Sequence, residues 1–163
     1  MPDLFIVFIQ TATLFVLVGQ LFLLHRTLKA DHERKRKQAT IEFVGASWRE
    51  NRTQIESKLG TNRLNENQLK EIREDVETEG ILKNFLNAVE HLAVGLNSGV
   101  YDKEILYRMN GTLMVIMYDR YEPYITLIRK DYSSAYIEFE NIVTEFKNRK
   151  RISVTNSGNI KYS

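Results

Sequence analysis

The sequence predicts an all-α protein: one N-terminal transmembrane helix followed by a cytosolic helical bundle of about five helical segments. Three observations carry that prediction. Residues 4–24, "LFIVFIQTATLFVLVGQLFLL", hold no charged side chain. The remainder places apolar residues three or four positions apart, which is the period of one helix face, and shows no clean alternation over four to eight residues. Only 2 Pro and 8 Gly punctuate 163 residues, so long stretches carry no helix breaker. The same features divide the chain into a transmembrane helix at 1–24, a basic juxtamembrane segment at 25–38, a helical bundle domain at 39–149 and a disordered basic and polar tail at 150–163.

The 21 uncharged residues make a helix about 32 Å long at 1.5 Å per residue, enough to cross a hydrocarbon core of roughly 30 Å. A cleaved signal peptide would have a basic start and a shorter apolar run. Here the start offers only Asp3. No Lys or Arg precedes the span and six lie within residues 25–38, so the positive-inside rule puts the N-terminus outside and the domain in the cytoplasm of an inner membrane protein. The run Arg34, Lys35, Arg36 and Lys37 is then expected at anionic lipid headgroups, where each charge contributes about 1 kcal/mol. Within the span Gln10, Thr13 and Gln20 fall near one helix face. Amides facing lipid are costly, so we expect that row to meet another helix, from a second copy or from another membrane subunit.

The first segment after the span runs over 25–58, with Ile41, Val44, Trp48, Ile55 and Leu59 as its apolar stripe and Gly60 as its stop. A short helix follows from Asn65 to about Thr78. Asn65 with Gln68 has the form of a capping box, and Leu69, Ile72 and Val76 form its apolar face. Its acids (Glu66, Glu71, Glu74, Asp75, Glu77 and Glu79) read as a solvated face. The third helix spans Ile81 to Ser98 and ends with Gly99 in the left-handed position and Val100 in the apolar position after it. Asp102 caps the fourth helix, which carries Ile105, Met109, Leu113, Ile116 and Met117. Pro123 is expected to open a new or kinked segment. Ser133 or Ser134 starts the last helix, whose inner face reads Tyr136, Phe139, Ile142, Val143 and Phe146.

On a wheel the third helix has two faces. Ile81, Leu82, Phe85, Leu86, Val89, Leu92, Ala93 and Leu96 share an apolar arc. Asn84, His91 and Gly95 lie opposite, Asn87 lies to the side, and Glu90 sits on the border of the arc. A carboxylate there needs a cation or backbone donors, and Arg108, Arg120 and Arg129 are its candidate partners. Asn87, Glu90 and His91 are therefore either a structural pairing or the lining of a polar groove. Gly95 is expected to admit another helix at close range.

The residues Leu86, Asn87, Glu90, Ala93, Gly95, Gly99, Tyr101 and Asp102 form the pattern L-N-x-x-E-x-x-A-x-G-x-x-x-G-x-Y-D. That pattern is similar to one in an uncharacterised bacterial domain family, as are "YEPYITLIRKD" and "AYIEFENIVTEF". The resemblance covers about residues 40–148. It implies small proteins with an N-terminal membrane span and a helical cytosolic part, and it implies no activity.

Composition narrows function further. Cysteine is absent, which removes disulfides and thiolate chemistry. No nucleotide-binding, nucleophile-elbow or zinc-helix motif occurs, so no enzyme, cofactor or metal is expected. Residues 25–38 carry six basic and two acidic side chains, residues 147–163 carry five basic and none acidic, and residues 39–146 carry twelve basic and eighteen acidic. The acidic domain argues against nucleic acid as a partner. Seven tyrosines between Tyr101 and Tyr136 suit an interface or a core. The expected function is a membrane-anchored helical interaction module, with a ligand-sensing or effector membrane protein, for instance in stress or phage defence, as the alternative.

Overall fold

The structure, a computed structural model, describes residues 2–45 and 47–158. Those residues form six helices: α1 Pro2–Gly45, α2 Ser47–Leu59, α3 Glu66–Glu74, α4 Val76–Asn97, α5 Lys103–Ile128 and α6 Ile137–Gly158. No strand occurs among the described residues. Two compact units result, Met1–Gln38 and Ala39–Ser163. In the first, the large apolar side chains described from Phe8 to Leu24 are exposed, Phe8 at 70%, Phe15 at 73% and Phe22 at 66%. The segment expected over 25–58 corresponds to the later part of α1 and to α2. Of the tail expected to be disordered, α6 takes in the residues up to Gly158, and 159–163 lie outside the described residues.

The second unit is organised around α4. This helix packs on α2, α3 and α6, and α6 also packs on α5. The apolar arc of α4 is buried through Leu82, Phe85, Leu86, Val89, Leu92, Ala93 and Leu96. Burying each large member of such an arc contributes roughly 1.5–3 kcal/mol, which makes this face the main source of the unit's stability. Aromatic rings tie the layers together. Trp48 of α2 meets Phe85 of α4 edge-on at 6.4 Å, Phe85 meets Tyr121 of α5 at 5.7 Å, and Tyr118 of α5 meets Phe139 of α6 at 5.2 Å. The tyrosines divide accordingly: Tyr118, Tyr121, Tyr124 and Tyr136 are buried, while Tyr132 is exposed.

Local signals account for most helix ends. Asn65 and Gln68 form the reciprocal capping box, with Gln68 N–H donating to Asn65 Oδ1 at 3.0 Å and Asn65 N–H donating to Gln68 Oε1 at 3.1 Å. Gly60 and Gly99 take positive φ at 72° and 77°, which a side-chain-bearing residue adopts at a cost. Asp102 Oδ1 accepts from Ile105 N–H at 3.0 Å, and the Asp102 N–H donates to Thr40 Oγ1 at 2.7 Å. The inner face of α6 is Phe139, Ile142, Val143 and Phe146, as its spacing predicts.

Several expectations are corrected. The helix expected from Asn65 to Thr78 ends at Glu74, and α4 begins at Val76. Asp75 closes one helix and caps the next, accepting from Glu77 N–H at 3.0 Å and from the Thr78 hydroxyl. Val76 is consequently 81% exposed and belongs to no apolar face. Ile41, Met109 and Ile116 are also exposed; Met117 is buried as expected, and α5 turns Leu106, Met114, Tyr121 and Ile125 inward with it. Val100 is exposed; the residue that folds back on α4 is Tyr101, whose N–H donates to Gly95 O at 3.0 Å. Gly95 is buried under the Tyr101 ring, and a Cβ at that position would stand 2.4 Å from it. So Gly95 admits a ring from its own turn, where a second helix was expected. The last helix starts at Ile137 and not at Ser133 or Ser134.

Pro123 does not open a new segment; it lies inside α5. A proline has no N–H for the carbonyl four residues back, and its ring pushes that carbonyl outward. Here the carbonyl of Asp119 accepts from Arg63 Nη1 at 2.9 Å, and that of Arg120 accepts from Leu64 N–H at 3.1 Å. The loop between α2 and α3 is thereby fastened to the carbonyl that Pro123 frees, that of Asp119, and to its neighbour at Arg120. Asn110 and Gly111, a pair suited to turns elsewhere, are likewise interior to α5. Gly111 is buried against Tyr107, whose ring would lie 2.8 Å from an added Cβ.

Candidate functional site

The border carboxylate of α4 is answered by backbone and not by arginine. Glu90 Oε1 accepts from Glu138 N–H at 3.1 Å, and Oε2 accepts from Phe139 N–H at 2.8 Å. These are two of the donors that the first turn of α6 leaves without helical partners. The residue before α6 is Tyr136, which has φ +58° and no side chain able to cap. Ordinarily an aspartate, serine or asparagine at that place does the work. A carboxylate from α4 does it here, and its charge also suits the positive end of the helix dipole. Burial, with Glu90 beside it, pushes the Tyr136 hydroxyl above its ordinary pKa.

The three arginines offered as partners for Glu90 are engaged elsewhere. Arg108 pairs with Glu104 at 2.8 Å along the exposed side of α5. Arg120, only 8% exposed, reaches Glu56 of α2 at 2.8 Å. Arg129 donates through Nε to Ala135 O at 2.8 Å and through Nη1 to Glu140 at 2.7 Å, which holds the turn ahead of α6. Asn87 and His91 are exposed on the outer side of α4. Glu90 thus fixes α6 from the same helix. Among the described residues no group of three or more His, Asp or Glu could hold a metal ion.

In the first unit Gln10 and Gln20 are exposed, and the Thr13 hydroxyl donates to Ile9 O at 2.9 Å within its own helix. Of the basic run, Lys35 pairs with Asp31 at 2.7 Å, Arg34 and Lys37 are exposed, and Arg36 is half-buried.

A second candidate was not legible in the sequence. A cleft of about 380 Å³ lies in the Ala39–Ser163 unit, lined by Val44, Gly45, Trp48, Arg49, Arg52, Met109, Asn110 and Leu113. Its polar groups have little to bond to. The indole N–H of Trp48, a residue only 5% exposed, has no hydrogen-bond partner among the described residues. Arg49 forms no ion pair among the described residues, and Arg52 makes only a 3.5 Å contact with Glu56, an acid already taken by Arg120. Another cleft, of about 250 Å³, contains Lys58 and Asp75, but there Lys58 pairs with Glu77 at 2.7 Å and Asp75 caps α4. The first cleft is distinct in presenting donors that the protein itself leaves unused. Each of its residues looks ordinary in sequence, and only the fold brings the end of α1, α2 and α5 together around them.

The profile of a family described as a domain of unknown function, DUF4760, matches residues 7–146. No curated protein and no solved structure matches the chain.

Proposed function

The chain belongs to the DUF4760 family, and we propose that it is a membrane-anchored helical interaction module: a subunit, adaptor or regulator that holds a partner at the cytoplasmic face of the inner membrane. The observation that carries this reading is the contrast between the two units. Within the uncharged run Phe8, Phe15, Phe22 and the leucines from Leu14 to Leu24 are exposed, and none of its most apolar window is buried, whereas the Ala39–Ser163 unit closes a core of its own. A soluble core helix would have its apolar side chains covered; a span leaves them for lipid. The Lys and Arg asymmetry supports the orientation. A reporter fused after Ser163 is expected to be active only in a cytoplasmic form, and activity of a periplasmic reporter at that position would reverse the topology.

Partnering through the span makes a separate expectation. The Gln10 and Gln20 side chains are exposed and make no hydrogen bond among the described residues, and an interhelical hydrogen bond in lipid is worth only about 0.6 kcal/mol on average. Two amides therefore set register and do not hold an oligomer alone. Replacing both by leucine should leave insertion intact and reduce crosslinking of the full chain, to itself or to a copurifying subunit. Unchanged crosslinking would make the span an anchor only. One observation favours the second reading, a ligand-sensing membrane protein: the cleft at Trp48, whose donors await an acceptor.

A further inference from the structure

We propose that the cleft between the end of α1, α2 and α5 binds an anionic lipid, its phosphate against Arg49, Arg52 and Asn110 and the start of its acyl chain against Val44, Met109 and Leu113. The inference rests on the membrane-anchored reading above.

The chemistry of the lining selects the ligand. Arginine and the indole N–H only donate, so Arg49, Arg52 and Trp48 present donors without acceptors. No acid lines the cleft. Two guanidinium groups without a strong partner attract a dianion or monoanion with several oxygens, and a phosphate matches their planar fork. The Asn110 side chain makes no hydrogen bond among the described residues and supplies one more polar contact on the α5 side. The remaining wall is apolar: Met109 is 47% exposed, and Val44 and Leu113 continue the surface. That wall gives a free phosphate nothing to cover it, whereas a glycerophospholipid supplies both an anion and a hydrocarbon stem. The volume of about 380 Å³ suits a headgroup with the first few methylenes and not a whole lipid, so the rest of the chain remains outside.

Trp48 is the single tryptophan of the protein and lines this cleft, so its fluorescence responds to an occupant there. The experiment uses the full chain in nanodiscs of zwitterionic lipid, with co-elution of protein and disc scored first, so that a failed anchor is told apart from an empty cleft. Phosphatidic acid brominated near the head of its acyl chains is then titrated in. The expected result is saturable quenching of Trp48 that brominated phosphatidylcholine does not reproduce. Arg49→Gln with Arg52→Gln should weaken that quenching at least tenfold, while Lys130→Gln, on the exposed end of the α5–α6 turn, leaves it unchanged. Equal quenching by both lipids, or quenching that survives the double substitution, overturns the proposal. So does an equal response to inorganic phosphate or glycerol phosphate at the same concentration, which would make this a site for soluble anions. Met109→Ala serves as the second variant: it should weaken the lipid and leave any response to free phosphate untouched.

Discussion

Replacing Arg120 by alanine is expected to lower the stability of the full chain by about 2–4 kcal/mol. Arg120 is buried in α5 and donates to Glu56 of α2 at 2.8 Å, while Glu56 keeps about a quarter of its side-chain surface in water. Removing the cation leaves a partly buried carboxylate with only the 3.5 Å contact from Arg52, and that penalty is the larger share of the loss. Because Glu56 is partly solvated, the figure sits at or below the range for fully buried pairs. The paired substitution discriminates: Glu56→Leu with Arg120→Met removes both charges at similar volume and should regain most of the loss. Chemical denaturation of both variants checks this. If the double variant is no more stable than Arg120→Ala, desolvated charge is not what the pair manages. By contrast Arg108→Ala, at an exposed pair along α5, should stay within about 0.5 kcal/mol of the parent.

That contrast shows what the sequence could and could not reveal. Arg108 and Arg120 were equal candidates because both sit on the same apolar helix. The inward side of α5 is set by Tyr118, Tyr121 and Tyr124. Their rings are apolar and their hydroxyls polar, so periodicity alone could not fix the phase, and Met109 and Ile116 were placed inside although they lie outside. Features whose cause spans a few residues were legible: the Asn65–Gln68 box, the positive φ at Gly60 and Gly99, and the Asp102 cap each complete themselves within one turn. The inner face of α6 was legible too, because its spacing leaves one apolar side only.

Features closed by distant residues were not legible. Asp75 lies in a run of acids that reads as one solvated face, and only its bonds to Glu77 and Thr78 mark it as a junction. Pro123 reads as a break, because the sequence does not show that Arg63 bonds to the Asp119 carbonyl it frees, with Leu64 on the carbonyl beside it. Gly95 fell on the polar side of the wheel, and the ring that covers it comes from the turn beyond the helix. The lining of the Trp48 cleft draws on helices more than fifty residues apart in sequence. None of its residues deviates from an ordinary amphipathic pattern, so nothing local singles them out.

Glu90 combines both cases, and its substitution is the second large expected effect. Its place on the border of the apolar arc called for a partner; the partner proved to be the start of α6, 48 and 49 residues away. Glu90→Ala strands two N–H groups at a helix terminus that has no capping residue of its own, and it removes a negative charge from the positive end of the dipole. Loss of a cap costs about 0.5–2 kcal/mol, and half-buried donors left unsatisfied raise that toward about 3. Tyr136 adds to the effect. Its left-handed backbone is tolerated only while neighbouring bonds hold it, and Glu90 supplies two of those bonds, with Arg129 holding Ala135 and Glu140 on the other side. Glu90→Gln should lose less, because its carbonyl oxygen still accepts one N–H while its amide faces the other with a donor. The measurement is thermal unfolding of the full chain in detergent, together with amide exchange at Glu138 and Phe139, which should quicken by an order of magnitude or more in Glu90→Ala. If stability and exchange stay at parental values while the interaction with a partner is lost, Glu90 belongs with Asn87 and His91 in a recognition groove, and α6 must find its cap elsewhere.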